Sequence, residues 1–191
     1  RKVFIQGGAG GVGTAAIQLF NHWGCEVSST CSGTNVDLLQ SLGAKKVINY
    51  ESELFQEALD GHDIVYDLLG DSVLDDSIEE CCKILKNNSS SHYITLTHPL
   101  MNTLDSKGLL LGAPHAFFLR QKIKSAYRPI NVHWSIYRPS LSGLQELTHL
   151  AEKEIIKPII DSIYSLSDIS EAHKKVATGH GSGKVVINNI L

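Results

Sequence analysis

Gly8-Ala9-Gly10-Gly11-Val12-Gly13 carries the spacing G-x-G-x-x-G, whose chemistry is the holding of a phosphate group by bare backbone. Gly8 reads as the residue of the tight turn out of a strand. Gly10 reads as the point where the backbone meets a pyrophosphate with no Cβ in the way, and Gly13 as the place where the next helix packs on the sheet. A helix beginning near Gly11 would aim free N–H groups and the positive end of its dipole at the phosphates. So short a motif also admits a tight turn with no ligand, or a methyltransferase turn for S-adenosylmethionine. Context favours a dinucleotide: the apolar run Val3-Phe4-Ile5 precedes the glycines, and Ala15, Ala16, Leu19, Phe20 and Trp23 follow at helical spacing.

The end of the second strand bears on which dinucleotide. An NAD site places Asp or Glu about 20 residues past the glycines, accepting from the ribose hydroxyls. Here stand Thr30-Cys31-Ser32-Gly33-Thr34, with no acid until Asp37. Small hydroxyls can donate to a 2′-phosphate that a carboxylate would repel, so the expected cofactor is NADPH. The nearest cations are Lys45 and Lys46. Ser32 also has an ordinary reading as turn chemistry.

Other reactive residue types form no pattern that demands chemistry. Cys25, Cys31, Cys81 and Cys82 contain no CxxC pair, so zinc and a disulfide framework are both unexpected, and the four read as free thiols. Asp75-Asp76 and Glu79-Glu80 read as a solvated helix face. No catalytic residue is nominated. The basic cluster Arg120, Lys122, Lys124 and Arg128 reads either as a solvated helix face or as a phosphate site. With 17 basic against 20 acidic residues and a net charge of -3, nothing argues for nucleic acid or an anionic membrane. No apolar run approaches the length of a membrane span. Arg1-Lys2 leads straight into a buried-looking strand, which reads as a chain opening in mid-fold.

The elements that must position these residues alternate. Strands are expected at Val3–Ile5, Val27–Thr30, Lys46–Ile48, Asp63–Tyr66, His92–Thr97 and Ile130–Ser135. Helices are expected from near Gly11 to Trp23, Val36 to Leu42, Ser52 to Leu59, Ser72 to Leu85, Phe117 to Ala126 and Leu141 to Lys153. Residues 99–129 are otherwise hard to read. In a chain of 191 residues, 42% of them hydrophobic, this order predicts an α/β fold: a Rossmann doubly wound, six-stranded parallel sheet with a ligand crevice at its switch point.

Several of these stretches resemble one family. Gly7 to Gly13 with Ala15-Ala16-Ile17-Gln18-Leu19, Leu42-Gly43-Ala44 with Val47-Ile48-Asn49-Tyr50, and Asp63 to Asp67 ending at Gly70 are similar to the zinc-free medium-chain dehydrogenase/reductases, quinone oxidoreductase branch. So are Ile156 to Ile160, Glu171-Ala172-His173 and Gly183-Lys184-Val185-Val186-Ile187. The resemblance implies an NADPH-dependent reductase passing hydride to a quinone or an α,β-unsaturated carbonyl, or a nucleotide-binding interaction module with little catalysis. It implies that Ala9, Gly11 and Val12 face the pyrophosphate, and that Ser32 and Tyr50 meet the adenosine ribose and its 2′-phosphate. Leu68 to Gly70 and Leu96 to Thr97 would line the path to the nicotinamide. Ser135, Tyr137 and His180-Gly181-Ser182 would close over the cofactor. The sequence departs from the family at Asn35, where many members carry Lys, and at Ser182, where a related sequence carries Arg.

Residues 1–157 would then be the dinucleotide-binding domain. Residues 158–191 would return to a GroES-like catalytic domain, with strands Ile159–Tyr164 and Lys184–Asn188 left as exposed edges or paired with another chain. Tyr93 to Thr97 and Gly179-His180 resemble the mitochondrial, reticulon-interacting members. That implies a mitochondrial location and a protein partner of reticulon type; self-association (a homo-oligomer) is a further option left open by the strand edges.

Overall fold

The computed structural model describes residues 1–70, 77–97 and 100–188. In chain order the elements are β1 (Lys2–Gln6), α1 (Gly13–His22), β2 (Glu26–Cys31), α2 (Val36–Ser41), β3 (Lys46–Asn49), α3 (Phe55–Ala58), β4 (Ile64–Asp67), α4 (Ser77–Lys83), β5 (His92–Thr95), α5 (Leu100–Ala126), β6 (Asn131–Trp134), α6 (Leu141–Glu152), β7 (Ile160–Ser165), α7 (Ile169–Ala177) and β8 (Lys184–Asn188). Six strands form one sheet in the order β3-β2-β1-β4-β5-β6, and β7 and β8 form a second. The pairings within each are parallel. The first order is that of the dinucleotide-binding doubly wound fold, as the alternation of elements predicts.

The chain divides into two compact units. The first comprises Arg1–Gln6 and Leu54–Arg138. Strand β1 is buried from Val3 to Gln6, as befits a parallel strand covered on both faces. It pairs with β4 from Val3↔Ile64 to Gln6↔Asp67. Phe4 stacks on Phe55 at 4.8 Å, with Leu59, Val65, Ile84 and Val132 also buried. Each such side chain contributes roughly 1.5–3 kcal/mol by leaving water.

The second unit comprises Gly7–Glu53 and Pro139–Leu191. Its core includes Ile17, Val27, Leu39, Ile48 and Leu150. Gln18, buried on α1, donates from Nε2 to the Lys157 carbonyl at 3.0 Å and accepts from the Lys157 N–H at 2.9 Å. That exchange ties the chain entering β7 to the helix behind the glycine turn. Helix α6 starts on a Ser140 cap whose Oγ accepts from Gly143 N–H at 3.1 Å.

Several boundaries differ from expectation. Helix α1 begins at Gly13, not near Gly11. Helix α3 is a single turn, Phe55–Ala58, in place of Ser52–Leu59. Of the helix expected over 72–85, Ser77–Lys83 is seen, and 72–76 lie outside the described residues. Residues 100–126 are helical throughout except at Gly108, whose φ of 70° and ψ of 169° join two helices across a kink.

Candidate nucleotide-binding site

In the second unit the glycine turn follows β1 and precedes α1. Gly7, not Gly8, takes the positive φ of 81°, so it is Gly7 that makes the turn. Gly8 is glycine for another reason: a Cβ there would collide with Ser29 Oγ and lie 2.8 Å from Leu39 Cδ2. Gly13 must be glycine, here because the helix start packs on the turn: a Cβ would fall 2.5 Å from the Gly7 carbonyl oxygen and 2.6 Å from that of Gly8. Above Gly10 the space is open; its Cβ would find only the Gly7 oxygen, at 3.7 Å. The turn is tied to β2 by Gly7 N–H to Thr30 Oγ1 and Gly8 N–H to the Thr30 carbonyl, both 3.0 Å. Helix α1 has no side-chain cap and no acid in its first turn. Its positive end therefore has no carboxylate of its own and suits an anion.

The C-terminal segment reaches the same turn. Gly183 N–H donates to the Ala9 carbonyl at 2.8 Å, and Gly10 and Gly183 form a parallel bridge. Lys184 then lies across Gly11, where an added Cβ would run into its Cδ, Cε and Nζ. The Lys184 ammonium has no hydrogen bond or ion pair with another described residue. Sequence reading missed this cation, because nothing in the spacing of Lys184 links it to a turn near the other end of the chain.

The loop after β2 is built from hydroxyls and amides. Ser182 Oγ donates to Asn35 Oδ1 at 2.5 Å across a separation of 147 residues. Asn35 Nδ2 in turn donates to Ser32 Oγ at 3.1 Å, and Ser32 and Thr34 share a hydrogen bond of 3.1 Å. The Ser182 N–H donates to Asp161 Oδ1 at 2.9 Å. That bond is the chief reason the Asp161 carboxyl is held below its ordinary pKa; burial opposes it, and Ser162 and Lys175 lower it further. Gly181 and Ser182 are half-buried and His180 is exposed. Tyr50 is 54% exposed and hydrogen-bonds the loop through its backbone, N–H to the Cys31 carbonyl at 3.1 Å. Gly8, Ala9, Gly10, Gly11 and Val12 are thus joined through Gly183 to Ser182, and through Asn35 to Ser32. Asp161, Lys175, Gly181 and Lys184 also line a cavity of about 340 Å³.

In the first unit the end of β4 is fixed by a buried carboxylate that sequence reading placed only as strand. Asp67 Oδ1 accepts from the N–H groups of Leu69 and Gly70 at 3.0 and 2.8 Å, and Oδ2 from Ser77 Oγ at 2.8 Å and Tyr93 OH at 2.6 Å. Burial, followed by the charge of Asp67, holds the Tyr93 phenol far above its usual pKa. Gly70, with φ of 57°, lies so close to Thr97 that a Cβ would strike its Oγ1. Leu96 N–H donates to the Asp67 carbonyl at 3.2 Å. Leu68, Gly70, Leu96 and Thr97 are therefore one cluster at the ends of β4 and β5. Ser135 continues the β5–β6 pairing through its N–H to the Thr95 carbonyl at 2.9 Å, whereas Tyr137 is 86% exposed.

The basic cluster lies on the last turns of α5 and the loop beyond it. Lys124 and Arg128 line a cavity of about 530 Å³ with His133.

A family model described as zinc-binding dehydrogenase matches residues 42–187. The chain belongs to this family. It is 30% identical over 98% of its length to the mitochondrial NAD(P)H oxidoreductase RTN4IP1 of Danio rerio, covering 49% of that protein. It is likewise 30% identical, over 98% of its length and 51% of the other, to the mitochondrial reticulon-4-interacting protein 1 of Caenorhabditis elegans. Among solved structures it superposes on the quinone oxidoreductase of Coxiella burnetii with a TM-score of 0.78 and 28% identity, covering 99% of this chain and 53% of that one. The chain spans about half the length of the curated relatives it matches. Despite the family's name, the described residues bring no three His, Cys, Asp or Glu side chains together as a metal site. Cys31 and Cys82 are also poor thiolate donors: burial, then Glu51, pushes Cys31 up to about 11, and burial pushes Cys82 up to about 12.

Proposed function

We propose that this zinc-binding dehydrogenase family chain is the nucleotide-binding part of an NADPH-dependent oxidoreductase whose acceptor is a quinone or an α,β-unsaturated carbonyl. The observation that carries the reading is the glycine turn: open backbone above Gly10, an uncapped helix start behind it, and the Lys184 ammonium lying across Gly11. These are the donors and charges a pyrophosphate needs. The names of the relatives, an NAD(P)H oxidoreductase and a quinone oxidoreductase, support the activity.

On this reading Gly8 to Val12 and Lys184 hold the pyrophosphate, while Ser32 and Tyr50 meet the adenosine ribose. His180, Gly181 and Ser182 cover it from the C-terminal segment. Leu68, Gly70, Leu96, Thr97, Ser135 and Tyr137 serve the nicotinamide path. The bound nicotinamide would supply the hydride, and the protein orients it and excludes water. Residues 158–191 belong to a catalytic domain contributed mainly by other sequence, and any proton donor would lie there. A mitochondrial location follows the relatives' names. The name of the Caenorhabditis elegans relative favours a second reading, a nucleotide-binding interaction module with a partner of reticulon type. Oxidation of NADPH with quinone acceptors by the full-length protein separates the two.

The direct test is a calorimetric titration with NADPH, NADH and S-adenosylmethionine. Both nicotinamide nucleotides are expected to bind, NADPH the tighter, and S-adenosylmethionine is not. Lys184→Gln weakens both nicotinamide nucleotides alike, about five- to tenfold, or roughly 1–1.4 kcal/mol, since both carry the pyrophosphate. Equal or reversed preference in the unmodified protein would sink the NADPH assignment, and no nucleotide binding at all would sink the site.

A further inference from the structure

The loop after β2 holds a carboxylate that its own residues do not supply. Glu51 stands just beyond β3, yet its Oε2 accepts the Gly33 N–H at 2.9 Å. The side chain lies against the loop: a Cβ on Gly33 would sit 3.3 Å from Glu51 Oε2 and 3.0 Å from Asn49 Nδ2. The base of Glu51 is fixed as well, its N–H donating to Asn49 Oδ1 at 3.1 Å. No described cation neutralises it; Lys45 pairs instead with Glu26 at 3.0 Å. Its charge reaches the loop interior, where it adds to burial in raising the Cys31 thiol.

We infer that Glu51 is a specificity-determining residue of the adenosine site, disfavouring a 2′-phosphate and so narrowing the preference for NADPH over NADH. The inference rests on the nucleotide-binding reading of the glycine turn. In a doubly wound fold the loop leaving the second strand meets the adenosine ribose, and an acid there accepts from its hydroxyls. Here the acid arrives from the neighbouring strand's exit. It occupies the Gly33 N–H, a donor that a phosphate would otherwise take, and it repels a dianion brought to the same place. A 2′-hydroxyl meets no such conflict, because it can donate to the carboxylate. The hydroxyls of Ser32 and Thr34, which favour the phosphate, and Glu51, which opposes it, therefore act on one position.

The test is Glu51→Gln in the full-length protein, titrated with NADPH and NADH beside the unmodified protein. The amide oxygen can still accept from Gly33 N–H, so the loop keeps its anchor while the charge is gone. The expected result is a shift of the NADPH-to-NADH affinity ratio toward NADPH of about tenfold, or 1.4 kcal/mol. Glu51→Ala, which removes the anchor too, weakens both nucleotides while shifting the ratio the same way. A ratio in Glu51→Gln within about twofold of the unmodified protein overturns the inference and leaves Glu51 a staple of the loop. If the unmodified protein binds neither nucleotide, the nucleotide-binding reading falls and the inference with it. The unmodified protein's own ratio reports separately on the NADPH assignment.

Discussion

Asp67 shows how much of the strand-end geometry can depend on one side chain. Its two oxygens accept four hydrogen bonds, from Leu69 N–H, Gly70 N–H, Ser77 Oγ and Tyr93 OH, in a fully buried position. Replacement by Asn keeps the shape but turns one acceptor into a donor, so two of the four donors lose their partner. A buried donor left unmatched costs about 1–3 kcal/mol. Asp67→Asn is thus expected to lose about 3 kcal/mol, a large share of a total of roughly 5–15. The urea midpoint reads this directly, and a loss under about 1 kcal/mol would mean the network repacks around the amide. At the same scale the open backbone at Gly10 and the crowding at Gly13 were legible in advance, because both follow from local chain geometry. Glu51, Lys184 and Asp161 were not, since each acts on residues distant in sequence. Gly8 was misread: its glycine serves Ser29 and Leu39, and the turn belongs to Gly7.

Among the elements, legibility followed burial. Strand β1 carries a continuous buried apolar run, Val3 to Ile5, which marked it, whereas β2 is buried from Val27 to Cys31 on mostly small polar residues and β4 alternates in burial. The stretch over α5 resisted reading because its apolar residues do not form an inward stripe. Leu109, Leu110 and Leu111 are 74%, 89% and 73% exposed, and Gly108 and Pro114 interrupt the sequence further. The β5–β6 pairing holds a feature that no periodicity announces: His92 Nδ1 and His133 Nε2 are 3.0 Å apart. Burial first, then the charges of His92, Lys124 and Arg120, holds His133 below its ordinary pKa of 6.5. The unfolded chain therefore takes up this proton before the folded one does. Stability must fall as pH drops below about 6.5, until the folded-state pKa is passed. His133→Asn is expected to flatten that fall between pH 7 and 5, measured by urea midpoints across the range. An unchanged slope would assign the acid sensitivity to other groups.

Across the molecule, the two units have cores of their own, but β7 and β8 stand apart as a sheet of two strands. A two-stranded sheet is marginal in water. Around it Ile163, Leu166 and Val176 are 65%, 55% and 62% exposed. A few apolar residues at a surface are ordinary; several on elements beside strand edges that no described strand pairs point to a surface that other protein covers. The proposed assignment of 158–191 to a catalytic domain accounts for it, as does a chain that spans about half of its relatives. It also makes a measurable claim. In the 191-residue chain alone, the amides of β7 and β8 should exchange with solvent faster than those of β1 and β4, and a hydrophobic dye should fluoresce on binding. In a protein that carries the rest of that catalytic domain, the same amides should gain protection and the dye signal should fall. If β7 and β8 are already as protected as β1 in the shorter chain, the segment is self-sufficient and the domain assignment fails, while the glycine turn and its nucleotide remain to be judged on their own titration.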